Sequence, residues 1–135
     1  MAENLIRLDI VTPAGLLMSE NVAALNLPAS MGSMGVLKNH APLMTSLDIG
    51  IVKYIKDDKA HFLAVHGGFA EVKENVVIIL ADSAEKSGDI DVARAMAAQK
   101  RAEERLKQRE ADLDVLRAEM ALRRAIIRIK VSQMS

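Results

Sequence analysis

The chain changes its hydrophobic rhythm near residue 88. Before it, apolar positions alternate. Ile6, Leu8 and Ile10 are separated by Arg7 and Asp9, the period-2 pattern of a half-buried strand. Thr12-Pro13-Ala14-Gly15 supplies a turn, and Val22–Leu27 reads as a further strand closed by Pro28. Residues 29–42, with Gly32, Gly35, Asn39 and Pro42, read as a long loop. Ile49–Lys56 and Lys59–His66 around Asp57-Asp58 form one expected hairpin; Ala70–Lys73 and Val76–Ala81 around Glu74-Asn75 form another. About 8–10 short strands at this spacing predict an antiparallel β-sandwich over residues 1–86.

After residue 88 the period becomes helical. From Asp89 onward there is no Gly or Pro, and Ala, Arg, Glu, Leu and Lys dominate. Asp89 is the expected N-cap of a first helix, with Asp91 complementing its dipole. Asp112 and Asp114 mark a second start after the polar run Lys107–Glu110. The pattern predicts an antiparallel two-helix hairpin over residues 87–135, although one continuous helix satisfies the composition too. The second helix carries two apolar stripes, Leu113, Leu116, Met120 and Ile127, and Val115, Leu122, Ile126 and Ile129. A surface helix needs only one. One stripe is therefore expected against the first helix, and the other against the β-domain or against a different partner when the hairpin opens.

Charge sharpens the division. Eighteen basic residues balance eighteen acidic ones, yet residues 1–88 hold seven against ten, and residues 89–135 eleven against eight. The absence of cysteine excludes disulfides and thiolate chemistry, and Val76–Ala81, the longest apolar run, is far too short to span a bilayer. A neutral balance argues against general nucleic-acid binding, and a soluble cytoplasmic protein is the expectation. Three scattered histidines, His40, His61 and His66, lack metal-ligand spacing; His61 and His66 differ in parity and point to opposite faces of a regular strand. No metal site, nucleophile elbow or phosphate loop is expected.

The arginines are different. Asp91, Arg94 and Arg101 share one face of the first helix, and Arg124 and Arg128 lie four apart on the second. In a hairpin turning near residue 110, Arg94 comes to face Arg124 and Arg128. Guanidiniums gathered near a helix N-terminus call for a polyanion. The plainer alternative is an Asp91–Arg94 helical ion pair, with Arg128 and Lys130 favoured by the C-terminal dipole.

The whole chain resembles the epsilon subunit of bacterial F-type ATP synthase. The matching stretches are Leu8–Pro13, Gly35–Leu43, Gly67–Val72, Val77–Glu85 and Ala118–Ala125; Lys38-Asn39 stands where many members carry Pro-Gly. The resemblance implies a non-catalytic central-stalk rotor subunit whose β-domain joins the gamma subunit to the c-ring. It implies further that the helices inhibit ATP hydrolysis by extending into the alpha/beta catalytic head, and that the chain sits peripherally on the cytoplasmic face of the cell membrane. Carried over, Val36, Leu37, Lys38, Asn39, His40 and Pro42 would face the c-ring and gamma, and Gly67, Gly68 and Phe69 the gamma side. Ile90-Asp91-Val92-Ala93-Arg94-Ala95 matches the motif of a nucleotide-binding subgroup. There Glu85, Ile90, Asp91, Arg94, Ala95, Arg101, Arg124 and Arg128 correspond to a site for ATP, a regulatory ligand that holds the hairpin shut and is not hydrolysed. A purely mechanical stalk subunit without nucleotide is the alternative. A small-ligand β-barrel enzyme would need convergent inward polar residues, which the strands lack.

Overall fold

The computed structural model describes residues 4–108 and 112–134. Eight strands come first: β1 (Ile6–Thr12), β2 (Gly15–Val22), β3 (Ala24–Ala29), β4 (Gly32–Val36), β5 (Leu43–Lys56), β6 (Lys59–Lys73), β7 (Val76–Ala81) and β8 (Ala84–Lys86). A 3₁₀ turn, Ser87–Asp89, leads to α1 (Val92–Gln108) and α2 (Val115–Ser132). The sandwich followed by two helices is the fold the sequence pattern predicts. The expected hairpin turn near residue 110 lies outside the described residues.

The strands run in the order β2-β1-β7-β6-β5-β3-β4, with β8 joined to β6. All pairs are antiparallel except β1 with β7, where Arg7 to Val11 match Val76 to Leu80. The sheet wraps an aliphatic core whose fully buried members include Leu8, Ile10, Leu27, Leu63, Val65 and Ile79. Burying each such side chain contributes roughly 1.5–3 kcal/mol.

Two expectations about strand limits are corrected. The break falls at Ala23 rather than at Val22–Leu27 as one strand, and Pro28 lies inside β3. It is tolerated there because the β3–β5 ladder is irregular between Asn26 and Ala29, so no bond to β5 needs its missing N–H. Residues 29–42 are not one loop, because β4 forms within them and pairs with β3.

The hairpin turns match the pattern: Asp57 and Asp58 have φ of 51° and 62°, Glu74 and Asn75 of 52° and 62°. Paired positive φ values are those of the tight turn that suits twisted strands. Of the strands they join, β7 has the expected limits, while β5 and β6 are longer than expected. β6 runs unbroken through Gly67 and Gly68, at φ 84° and 131°. On one side Leu63 and Val65 enter the core; on the other Ala70 and Val72 do. The inward parity flips at the glycine pair, and one long strand serves both layers of the sandwich. A Cβ on Gly68 would sit 2.1 Å from the Leu80 carbonyl oxygen, so no other residue fits.

The helix start also differs from expectation. Asp89 belongs to the 3₁₀ turn, and Asp91 caps α1: its Oδ1 accepts from the Arg94 N–H at 3.0 Å. Asp114 caps α2 in the same way, accepting from the Arg117 N–H at 3.0 Å. A capping carboxylate three residues ahead satisfies one orphan donor and complements the dipole.

The interhelix seam is made of alanine. The buried residues of α1 are Ala95 and Ala102, and those of α2 are Ala118, Ala125 and Val131. Seven-residue spacing puts each alanine pair on one stripe, and small side chains allow close approach of the axes. Of the two large apolar stripes of α2, Leu122 and Ile129 of one stand four residues on from Ala118 and Ala125, on the seam side, and are half-buried. From the other, Ile127 packs with Val131 on Ala64, Ile51, Phe62 and Ile90, on the sheet face opposite the main core, while Leu116 and Met120 stay exposed. α2 therefore lies between α1 and the sheet. Arg123 reaches Asp48 of β5 at 3.1 Å, and the Ser87 hydroxyl lies 3.0 Å from the Val131 carbonyl oxygen.

Candidate ligand-binding site

Between the helices lies a groove of about 830 Å³ with an alanine floor, Ala98, Ala102, Ala118 and Ala121. Arg101 and Arg105 project into it from α1, Arg117 and Arg124 from α2, with Asp112 and Asp114 at the hairpin end. The spacing explains the clustering. Arg101 and Arg105 are four apart on α1, Arg117 and Arg124 seven apart on α2, and each pair flanks a seam alanine. Four guanidiniums against two carboxylates, one of them committed to capping, make a cleft suited to a polyphosphate.

The structure thus brings together Arg101 and Arg124, a pair that the family resemblance included, in place of the Arg94 that spacing set opposite Arg124, and adds Arg105 and Arg117. Those two lie toward the closed end of the hairpin, away from the helix N-terminus where the polyanion was expected. Their four- and seven-residue spacing from Arg101 and Arg124 was the signal that could have found them. Arg94 is exposed on the first turn of α1 and does not line the groove. Arg128 points to the sheet, where its Nε donates to Glu85 Oε1 at 2.5 Å. Ile90 is buried with Ala64 and Val131, and Ala95 lies in the seam. Asp91 is engaged in capping.

Glu85 has a second neighbour. His66, on β6, is buried, and its Nε2 lies 3.3 Å from the same Oε1. Its Nδ1 is buried and has no hydrogen-bond partner among the described residues. Burial, then the nearby Arg128 charge, hold the His66 ring below its ordinary titration range, although Glu85 pulls the other way. The carboxylate's pull ranks behind both, and Arg128 holds that oxygen at the shorter distance. His61 lies on the opposite face, stacked on Tyr54 with centroids 4.9 Å apart. Parity predicted that separation.

The β-domain presents a second surface. Val36 is buried at the end of β4, while Leu37 is exposed; Lys38 to Pro42 continue the loop. Asn39 adopts φ 67°, and its N–H donates to the Asn75 side-chain oxygen at 2.6 Å. This clamps the loop to the β6–β7 turn. Elsewhere, Phe69 pairs with Leu80, Leu80 with Val11, and Val11 with Leu16. Phe69, Leu80 and Leu16 are each more than half exposed, at 58%, 56% and 64%. Together they form an exposed apolar row across four strands, the kind of surface at which proteins meet partners. Leu16 and Leu80 were missed because alternation identifies a strand, not which of its faces water reaches.

Two family models match in tandem. The ATP synthase delta/epsilon chain β-sandwich domain covers residues 5–87, and the delta/epsilon chain long α-helix domain covers residues 89–133. An ATP synthase epsilon chain from Lawsonia intracellularis is 48% identical over 132 residues, covering 98% of this chain and 99% of the relative. One from Pelotomaculum thermopropionicum is 51% identical over 109 residues, 81% of each. Among solved structures, a chain of the Euglena gracilis mitochondrial ATP synthase aligns with a TM-score of 0.82 at 24% identity, over 96% of this chain and 82% of that one. This last likeness speaks to the fold. With both halves matched in order and relatives nearly half identical along its length, the chain belongs to the ATP synthase epsilon chain family.

Proposed function

We propose that this chain is a non-catalytic rotor subunit of a proton-translocating F-type ATP synthase, held on the cytoplasmic face of the membrane through the complex. In this reading the β-domain joins gamma to the c-ring, with the Val36–Pro42 loop and the Gly67–Phe69 region as contact surfaces. The apolar row from Leu16 to Phe69 extends that second surface. The helical hairpin regulates: compact, it leaves the alpha/beta head free; extended, it inhibits ATP hydrolysis.

ATP is the ligand that would hold the hairpin compact. The observation that carries this is the groove itself, four arginines drawn from both helices over an alanine floor. A ligand bridging the two helices binds only when they lie together, so it stabilises the compact state. At a hundred times its dissociation constant that effect is about 2.7 kcal/mol, enough to move a balanced equilibrium to about 99:1. Arg101 and Arg124 take phosphate in the arrangement seen, with Arg94 and Arg128 joining as the site tightens and Glu85 and Asp91 at the base or ribose end. The ATP is a signal of cellular energy and is not hydrolysed.

Isothermal titration of ATP into the chain and its Arg124→Ala variant tests this. Saturable heat in the parent and a loss of at least tenfold in affinity in the variant are expected. Indistinguishable heats, or no binding at millimolar ATP, would remove the nucleotide. Two observations favour the mechanical alternative: Arg128 is already paired with Glu85, and Asp91 already caps α1. Under that alternative, a probe of the distance between hairpin and sheet would be unchanged by ATP.

A further inference from the structure

His66 sits where the movable arm meets the fixed body. It lies on β6 beside the Gly67-Gly68 flip, on the sheet face that α2 covers, and its side chain is 2% exposed. One ring nitrogen reaches Glu85 on β8, and the other has no partner among the described residues. The charged groups around it come from every neighbouring element. Arg124 and Arg128 approach from α2, Glu85 from β8, Asp82 from the β7–β8 connection and Asp48 from β5. Asp48 is engaged by Arg123, and Glu85 by Arg128. A cation added at His66 therefore enters a site whose nearest carboxylate is already shared with an arginine.

We infer that His66 is a proton-sensitive latch for the hairpin: neutral, it lies under docked α2, and protonated, it drives α2 off the sheet. The latch uses the hairpin opening of the proposed function but needs no nucleotide.

The linkage has a definite sign. Docked, the ring is held below its ordinary value of 6.5, by burial first and by Arg128 second. Undocked, water reaches it and the ordinary value returns. The undocked state thus binds the proton more tightly. Docking is at full strength above about pH 6.5 and weakens as pH falls from there toward the docked value, by up to about tenfold in the docked-to-undocked ratio per pH unit. Arg128 adds to the burial penalty, since it cannot deprotonate to accommodate the new charge.

The chain has no cysteine, so two can be introduced for distance labels without interference. Lys59→Cys on β6 and Glu119→Cys on α2 are both exposed positions. Label separation would be followed from pH 8 to pH 5 without nucleotide, in this background and with His66→Asn or His66→Gln added. The expected result is a rise in the separated population below about pH 6.5 that either substitution flattens. A parent that stays docked throughout, or a His66 variant with the parent's profile, would overturn the latch. Direct NMR titration of the His66 ring in the parent needs no substitution, so a folding defect cannot blur its outcome. A midpoint below 6.5 supports the latch, and one at or above it ends the idea. Nucleotide affinity does not enter these readings, so failure here leaves the ATP titration to be judged separately.

Discussion

The sandwich and the hairpin are both close-packed, but with different materials. The sandwich buries leucine, isoleucine and valine, with Leu8, Ile10 and Ile79 at zero exposure. The α1–α2 seam buries Ala95, Ala102, Ala118 and Ala125. A methyl group removes far less apolar surface from water than a branched four-carbon side chain does, at about 0.8 kcal/mol per buried CH₂. The sandwich holds itself together by area. The hairpin holds by a narrow seam, two capping aspartates and one row of contacts between α2 and the sheet. A body and an arm differing this much in burial should open at different free energies, the hairpin before the sandwich.

That contrast can be broken in order of effect. Leu8→Ala should cost about 2–5 kcal/mol, read as a lowered midpoint in urea unfolding of the sandwich. Next, Ala118→Leu forces a bulky group between the helices and should cost the hairpin about 1–3 kcal/mol. Labels on α1 and α2 should separate while the sandwich's unfolding midpoint holds. If that variant lowers the sandwich midpoint as far as Leu8→Ala does, the two regions are one cooperative unit and the contrast fails. Smallest, Asp91→Ala removes a cap and should cost about 1 kcal/mol, seen as faster amide exchange over the first turn of α1. Asp91→Asn should restore protection, since an amide oxygen caps as well. Equal fraying in both would mean the carboxylate charge, and not the hydrogen bond, holds that turn.

Much of this architecture is legible in the residues. Asp57-Asp58 and Glu74-Asn75 read as turns and are turns, and alternation in Ile6–Ile10 places those side chains inward. The features that the residues hide have a common cause. Gly67-Gly68 reads as a break because glycine weakens strands, but here it lets a strand continue while changing faces. The alanine seam is hidden because alanine scores as a helix former on any face, so only packing shows which face it serves. For the site, spacing sets Arg94 opposite Arg124 and Arg128, whereas the groove gathers Arg101 with Arg124. Spacing does not show that Arg128 turns to Glu85, because that pair spans 43 positions and depends on β8 lying beside β6. Nor does it single out His66 as the third member, although its even parity with Ala64 was the available signal.

The lone parallel ladder carries a consequence for how the chain is made. β1 pairs with β7, so Arg7 meets Val76 only after nearly all the β-domain has been synthesised. A contact that distant in sequence is slow to close, and until it does, one side of β1 is an open edge. On a ribosome adding about 5–20 residues per second, the arm is still emerging when β7 becomes available. The body therefore has a brief interval to seal itself before α2 arrives, and α2 meets a finished surface rather than a competing edge.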